Sequence, residues 1–141
     1  MVVALCGVLV AMLSACALNS PDATSWRDDA AQATEEVAGQ LVVAGRIVEG
    51  ALEGRVPTTY AAVAASDVEE SANQTAQTFA GQQPPASERE QYDAVTGLLS
   101  DAGALLAQAR IAIVEGDVEQ QLLDEIQAVH SELVTKQGEL Q

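Results

Sequence analysis

The chain has 141 residues, of which 21 are Asp or Glu and only 6 are Lys or Arg, so its formal net charge at pH 7 is −15. This charge argues against nucleic acid or anionic lipid as a ligand, because both are negatively charged and would be repelled. A single histidine and two cysteines leave no material for the usual His-based catalytic pairings or for a cysteine-rich zinc site.

The first segment is an apolar run from Val2 to Ala15, and a cysteine follows it directly. A run of about 7–15 residues is typical of a signal-peptide core, whereas a membrane-spanning helix needs about 20. The residues Leu13, Ser14, Ala15 and Cys16 resemble the lipobox of bacterial lipoproteins. The resemblance implies cleavage after Ala15, a diacylglycerol on the sulfur of Cys16, and anchoring of the mature protein in a membrane through that lipid.

The leader departs from the usual signal-peptide pattern because no basic residue precedes Arg27. A start codon further upstream would explain the departure. The alternative is an uncleaved anchor helix from Val2 to Leu18, which is almost long enough to span a membrane. We favour the signal peptide because Cys16 ends the run and small residues precede it. Lipidated Cys16 would then leave the mature protein without a thiol for a disulfide.

This interpretation divides the chain into three parts. Residues 1–15 are the signal peptide. Residues 16–24 are the lipidated cysteine and a flexible tether, because turn-forming residues without periodicity follow Cys16. Residues 25–141 are predicted to form one helical domain, large enough for a single modest core.

Helix 1 is predicted from Ser25 to Glu53, with Ser25 as its N-cap and Gly54 as a left-handed C-terminal cap. We expect Trp26 to plug the end of the domain rather than to contact the lipid interface. The apolar positions recur every three or four residues and define one helical face: Ala30, Val37, Leu41, Ala44, Val48 and Ala51.

The middle of helix 1, residues 41–48, is apolar almost all the way round, which is more than one neighbouring helix needs. Either this helix is the most buried one, or Val43 and Ile47 form an exposed face for a partner protein. We favour burial, and we retain Val43 and Ile47 as the candidate partner face.

Helix 2 is predicted from Thr58 to Ala80 and is ended by Pro84 and Pro85, because a double proline cannot continue a helix. It has the weakest pattern of the four helices, since most of residues 66–77 are polar or small. Its predicted inward positions are Tyr60, Ala64, Val68, Ala72, Ala76 and Phe79.

Helix 3 is predicted to begin at a capping box, in which Ser87 and Glu90 satisfy each other's backbone amides, and to run to Glu115. It carries a wide apolar stripe, which is typical of a helix packed against two neighbours. The stripe consists of Tyr92, Val95, Leu98, Leu99, Ala102, Leu105, Leu106, Ala109 and Ile113.

Gly116 and Asp117 predict a tight reversal, with Gly116 closing helix 3 and Asp117 capping helix 4. Helix 4 is expected over residues 118–136, with the last residues frayed. Its inward positions are Leu122, Ile126, Val129 and Leu133. Four helices and no alternating strand pattern predict an all-α, antiparallel, up-down-up-down four-helix bundle. A longer open helical array, or a dimer that completes a thin core, is the alternative.

The sequence indicates no catalytic or metal-binding constellation. His130 is the only histidine, and a lone histidine is far more often a boundary residue than a catalyst. Glu35 and Glu36 on helix 1 could lie at the same level along the bundle axis as the acidic residues of helix 2, which are Asp67, Glu69 and Glu70. Together these carboxylates could bind a hard cation weakly. A solvated acidic face is the better interpretation. We therefore expect no metal site, no cofactor and no enzymatic activity.

The favoured function is a membrane-anchored, non-enzymatic lipoprotein of the cell envelope whose helices form an interaction module for another envelope protein. The alternative is an extracytoplasmic small-ligand-binding or sensor domain, with Tyr60, Tyr92 or Asn73 turned into a polar pocket. The expected location is the outer face of the cytoplasmic membrane, or the outer membrane where the envelope has one. The body of the chain also resembles small helical lipoproteins of actinobacteria.

Overall fold

A computed structural model describes residues 22–141, and within this range every regular element is helical. Four helices were predicted and four are present, which confirms the all-α four-helix bundle. They are α1 (Ala23–Leu52), α2 (Thr58–Ala80), α3 (Arg89–Glu115) and α4 (Gln120–Leu140), and a 3₁₀ turn, Ala86–Glu88, precedes α3.

Helix α1 is the organising helix of the bundle. It packs most extensively against α4, also packs against α2, and touches α3 across the diagonal. The diagonal contact is at least as extensive as the contact between the neighbours α3 and α4. Many buried positions of α1 and α3 are alanine, and such small side chains allow two helices on a diagonal to come into contact.

The ends of α1 follow local capping chemistry. The helix begins at Ala23, because the carboxylate of Asp22 accepts a hydrogen bond from the backbone N–H of Ser25 at 2.7 Å. The prediction that Ser25 is the N-cap is therefore wrong: a better acceptor stands three residues earlier. Gly54 follows the helix with a φ of +65°, which confirms the predicted left-handed ending.

The start of α3 differs from the predicted capping box. Pro85 leads into the 3₁₀ turn, and no side chain caps the first turn of α3. The hydroxyl of Ser87 lies 3.4 Å from a carboxylate oxygen of Glu88, its neighbour in sequence. Glu88 is itself buried and turned towards α1, so a tertiary interaction replaces the local box.

In the connection between α3 and α4, the predicted role of Gly116 is confirmed and that of Asp117 is not. Gly116 has a φ of +74° and ends α3 in the left-handed region. Asp117 is not the cap of α4, because that helix begins three residues later, after Glu119, without a side-chain cap. The predicted fraying at the other end is wrong: α4 continues to Leu140, which is only 5% exposed and joins the core.

The core confirms the predicted faces of α1, α3 and α4, and in α2 it confirms Val68, Ala72 and Phe79 but corrects the first turns. Trp26 is fully buried and packs on Phe79 with ring centroids 5.9 Å apart, so it plugs the bundle end as predicted. In α2, Tyr60 is 70% exposed, and Ala61 and Ala65 point inward instead. The buried part of the α3 stripe is Val95, Leu99, Ala102, Leu105, Leu106, Ala109 and Ile113.

The segment Ala86–Glu115 is long and apolar enough to cross a membrane by length and composition, with a mean hydropathy of 1.4 over its most apolar window. No other helix within residues 22–141 meets both criteria. In the bundle α3 packs against all three other helices. A hydropathy of this size also characterises the core helix of a soluble bundle, so it carries little weight for a membrane span.

Candidate functional site

The middle of α1 exposes apolar side chains to solvent. Val42 is 44% exposed and Val43 is 46% exposed, whereas Ile47 is half-buried against the core. The expectation that Val43 and Ile47 are both buried is therefore wrong for Val43. Residues 41–48 of α1 carry more apolar surface than the three neighbouring helices cover. The uncovered part of this apolar surface faces solvent.

A shallow groove of about 310 Å³ runs between α1 and α4 beside these valines. Its floor is apolar and includes Leu41, Val42 and Ile126. Gly45 also lines the groove, and a side-chain carbon there would come within ordinary contact of Leu123, at 3.6 Å. The polar residues that line the groove are Arg46, Glu49, Gln127 and His130. The lone histidine thus lies at the groove between α1 and α4, half-buried.

A second cleft, of about 420 Å³, lies between α1 and α2 on the half of the bundle that holds Trp26. Phe79 contributes apolar surface to it, and the other lining side chains are mostly polar. They include two carboxylates, three amides and a hydroxyl from Asp29, Glu36, Gln32, Gln74, Gln82 and Thr75. No basic side chain is among the residues that line this cleft.

Hydrogen bonds between α1 and α2, one of them in this cleft, fix the register of the two helices. Thr75 donates from its hydroxyl to Glu36 at 3.2 Å, and Gln40 donates to the hydroxyl of Ser71 at 3.3 Å. Within α1, the amide of Gln32 donates to the other carboxylate oxygen of Glu36 at 2.9 Å. Glu36 is thus held in place by both helices.

Two buried polar atoms near this cleft have no hydrogen-bond partner within residues 22–141: Nε1 of Trp26 and Oε1 of Gln82. The first is a donor and the second an acceptor. Gln82 lines the cleft, and Trp26 lies behind it, packed on Phe79. Buried polar atoms without partners are uncommon in folded proteins, and each indicates strain, water or a ligand.

Among the ion pairs of residues 22–141, the one with the most buried carboxylate lies at the same end. Arg27 donates to both carboxylate oxygens of Glu88, at 3.0 and 2.8 Å, and Glu88 is only 2% exposed. These hydrogen bonds lower the pKa of the Glu88 carboxyl, against the opposing effect of burial. The same bonds raise the pKa of the Arg27 guanidinium. No local sequence signal indicated this pair, because its members are 61 positions apart.

The acidic residues of α1 and α2 that could have formed a weak cation site lie at different levels along the bundle axis. Because Glu36 lies opposite Thr75, the acidic part of α2 lies further along the bundle. Glu69 instead pairs with Arg110 of α3 at 2.5 Å. Within residues 22–141, no group of three or more His, Cys, Asp or Glu side chains is arranged to hold a metal ion.

The residues proposed for a sensor pocket are dispersed. Tyr60 is exposed, and the hydroxyl of Tyr92 donates to the backbone oxygen of Ala80 at 2.7 Å. Asn73 faces α3, where its side chain lies against Gly103. These three residues do not line a common pocket.

The predicted lipidation site, Cys16, and the predicted cleavage site, Ala15, lie outside the described residues. Comparisons with known proteins add no assignment: no protein-family model, no curated protein and no solved structure matches this chain.

Proposed function

We propose that this protein is a membrane-anchored lipoprotein of the cell envelope, and that its bundle is a non-enzymatic interaction module. The resemblance of Leu13, Ser14, Ala15 and Cys16 to a lipobox supports the anchor. In this proposal Cys16 carries the lipid, and the bundle end with Trp26 faces the membrane, because α1 begins only a few residues after Cys16. The module extends from the outer face of the membrane.

The observation that carries the interaction role is the exposure of Val42 and Val43 midway along α1. They lie beside half-buried Ile47 and the apolar floor of the α1–α4 groove. Exposed aliphatic side chains that continue into an apolar groove have no role in the solubility of a strongly acidic bundle, and a contiguous apolar surface of this kind can bind another protein. The candidate partner face is therefore Val43 and Ile47, extended by Val42.

The anchor is tested with Cys16→Ser in the native host. Metabolic labelling with a fatty-acid analogue should mark the wild-type protein and not the variant, and the variant should leave the membrane fraction. Membrane retention of an uncleaved Cys16→Ser protein would overturn the lipid anchor and favour the uncleaved anchor helix.

The partner face is tested by in-cell crosslinking, affinity capture and mass spectrometry. Val43→Asp places a charge in the candidate face, and Val134→Asp is its matched control, because Val134 on α4 is 47% exposed against 46% for Val43. We expect one specific crosslinked envelope protein that is lost in Val43→Asp and kept in Val134→Asp. Equal capture by both variants would contradict this face, and circular dichroism of each purified variant confirms that it is folded.

A further inference from the structure

We propose that the solvent-facing side of α3 is a dimerisation surface, on which α3 of a second copy of this chain packs in the antiparallel direction. The surface, called the outer stripe below, consists of Gly97, Ser100, Ala104, Ala107, Ile111 and Val114. Because α1 and α3 lie on a diagonal of the bundle, the outer stripe and the candidate partner face are on opposite sides. The proposal depends neither on that face nor on the lipid anchor.

Helix α3 carries more apolar surface than the bundle covers. Only 39% of its most apolar window is buried, although the mean hydropathy of that window is 1.4. Ile111 is 46% exposed and Val114 is 58% exposed. Gly97, Ser100 and Ala104 are exposed as well, and Ala107 is half-buried. The helix therefore has a second uncharged face in addition to the one in the core.

The spacing of the outer stripe is that of a helix-pairing seam. Its members follow one another at alternating intervals of three and four residues, which is the a/d pattern of a heptad repeat. Residues at these intervals lie on one face of a helix. The seam from residue 97 to residue 114 is about 26 Å long, which is most of the length of α3. A second helix can therefore pack along it.

The order of side-chain sizes along the outer stripe favours a second copy of α3 as the occupant. The stripe begins with small residues and ends with large ones, so an antiparallel copy places large side chains opposite small ones and keeps the two helices at one distance. A parallel copy would place Gly97 against Gly97 and leave a gap at that end. In the bundle, a side-chain carbon at Gly97 would meet nothing within 4 Å, so the space beside it is free. The layers of the antiparallel pair are Gly97 with Val114, Ser100 with Ile111, and Ala104 with Ala107.

The distribution of charge also favours this contact. The only charged residues from 94 to 114 are Asp101 and Arg110. Neither belongs to the outer stripe, and Arg110 is turned towards α2, where it pairs with Glu69 at 2.5 Å. Two copies that each carry a net charge of −15 repel each other, but along the outer stripe they can meet without desolvating a charge. A lipid surface is a poorer occupant, because glycine, serine and alanine offer little apolar area for insertion.

The experiment is sedimentation equilibrium of the full chain in density-matched detergent, over a range of protein concentrations. The test variants are Ile111→Asp and Ala104→Glu, which place a carboxylate in the outer stripe. The matched control is Val134→Asp, because Val134 on α4 lies outside the stripe and is 47% exposed against 46% for Ile111. All three positions are exposed, so each variant should keep the fold, and circular dichroism checks this.

We expect a monomer–dimer equilibrium with a dissociation constant of about 1–100 μM, because a seam with many small side chains is a small interface. Ile111→Asp and Ala104→Glu should each weaken dimerisation at least about tenfold, since the two-fold axis buries each new carboxylate twice. Val134→Asp should change the dissociation constant less than about twofold. A wild-type protein that stays monomeric up to about 1 mM, or equal weakening by the control, would overturn the proposal.

Photo-crosslinking determines the direction of the second helix. Benzoylphenylalanine in place of Val114 should crosslink to residues around Gly97 of the second copy, and a mixture of unlabelled and isotopically labelled chains identifies crosslinks between copies. Crosslinks to residues around Val114 of the second copy would overturn the antiparallel arrangement, and crosslinks only to lipid or to another protein would overturn the second copy as occupant.

The salt dependence of dimerisation separates an apolar contact from ion pairing. Asp93, Asp101 and Glu115 lie beside or beyond the ends of the outer stripe, so they oppose the approach of a second copy. Added NaCl screens this repulsion, and the dissociation constant should therefore fall. A dissociation constant that rises with NaCl would mean that ion pairs hold the two copies together, and it would overturn the role of the outer stripe.

Discussion

At the scale of single residues, Glu88 is a buried carboxylate that accepts two hydrogen bonds from one guanidinium. A buried carboxylate is costly unless it is hydrogen-bonded and paired with a positive charge. Arg27 supplies both, since its planar guanidinium meets the two carboxylate oxygens of Glu88. The pair joins the start of α1 to the turn that leads into α3, next to the Trp26–Phe79 contact.

The first prediction concerns the pH dependence of stability. The pKa of Glu88 is lower in the folded protein than in the unfolded chain, so ionised Glu88 stabilises the fold. That contribution is present above the unfolded carboxyl pKa, about 4.3, and is lost as the pH falls through the folded value. Glu88→Gln should therefore be less stable than the wild type at pH 7, and the difference should shrink on acidification, as measured by urea unfolding.

The exposed pair of Glu53 and Arg55 provides the control for this prediction. The two side chains are 50% and 62% exposed, so solvent screens their attraction. Glu53→Gln should change stability little at either pH. A constant difference between Glu88→Gln and the wild type across the acid range would show that burial and shape, rather than the charge of Glu88, account for the effect.

Residue-level features were the hardest to predict from the sequence. Ser87 and Glu90 have the spacing of a capping box, but such a pattern describes only neighbours along the chain. Pro85 directs the backbone into a 3₁₀ turn, and Glu88 turns towards α1 because Arg27 lies there. Gln82 likewise gives no sequence signal, because the burial of its Oε1 depends on tertiary packing.

At the scale of elements, the glycines of α1 differ in their surroundings. A side-chain carbon at Gly39 would meet nothing within 4 Å. At Gly45 it would make ordinary contacts with Leu123 and Ile126, at 3.6 and 3.7 Å. At Gly50 it would lie only 2.7 Å from the side chain of Val56, which folds back over the helix end. Only Gly50 is needed for a close approach.

The second prediction follows from this contrast. Gly39→Ala and Gly45→Ala should each stabilise the bundle by about 0.5–1 kcal/mol, because alanine removes the entropic cost of glycine within a helix. Gly45→Ala also adds an apolar contact in the α1–α4 groove. Gly50→Ala should give a smaller gain or a loss, because Val56 must move. Chemical denaturation of the three variants measures the order.

Two outcomes would contradict this second prediction. A stabilising Gly50→Ala would mean that Val56 can rotate away from α1 at little cost. A destabilising Gly39→Ala would mean that α1 is bent at this position in solution. Circular dichroism, which reports helix content, distinguishes a bent helix from a locally unfolded one.

The sequence predicts helices well where their apolar stripe is wide and their ends are marked. In α3, large aliphatic side chains alternate with small ones, and Gly116 marks the end, so the stripe and the C-terminal limit were both predicted correctly. In α2 the first turns contain four alanines within residues 61–65, which fit several helical faces equally well. The prediction that Tyr60 points inward was therefore wrong, because only packing against α1 and α3 determines which face of this helix is buried.

At the scale of the whole molecule, the stabilisation from a small apolar core is opposed by repulsion among an excess of negative charges. The core is rich in alanine, which adds little apolar area per residue. The net charge of −15 opposes the compact state by repulsion between like charges. The prediction of an up-down-up-down bundle was correct because short connections force neighbouring helices to be antiparallel.

The third prediction is that added salt stabilises the protein. Raising the ionic strength from about 0.01 M to about 0.15 M shortens the Debye length from about 30 Å to about 8 Å. Repulsion across the bundle is then screened, whereas the short contact between Arg27 and buried Glu88 is screened much less. We expect the thermal unfolding midpoint to rise with NaCl in differential scanning calorimetry. A fall would show that exposed ion pairs contribute more than the net charge.

An even number of helices brings Leu140 back to the end of the bundle where Ala23 lies. A fluorophore or spin label at Glu139 would therefore report on the surroundings of the bundle end that holds Trp26, which faces the membrane in the proposed anchoring. A label in the connection between α1 and α2, such as at Arg55, would lie about 45 Å away, which is the length of a 30-residue helix. If the protein is anchored as proposed, depth measurements with labels at these two positions will determine which end of the bundle faces the bilayer, without changing the core or the clefts.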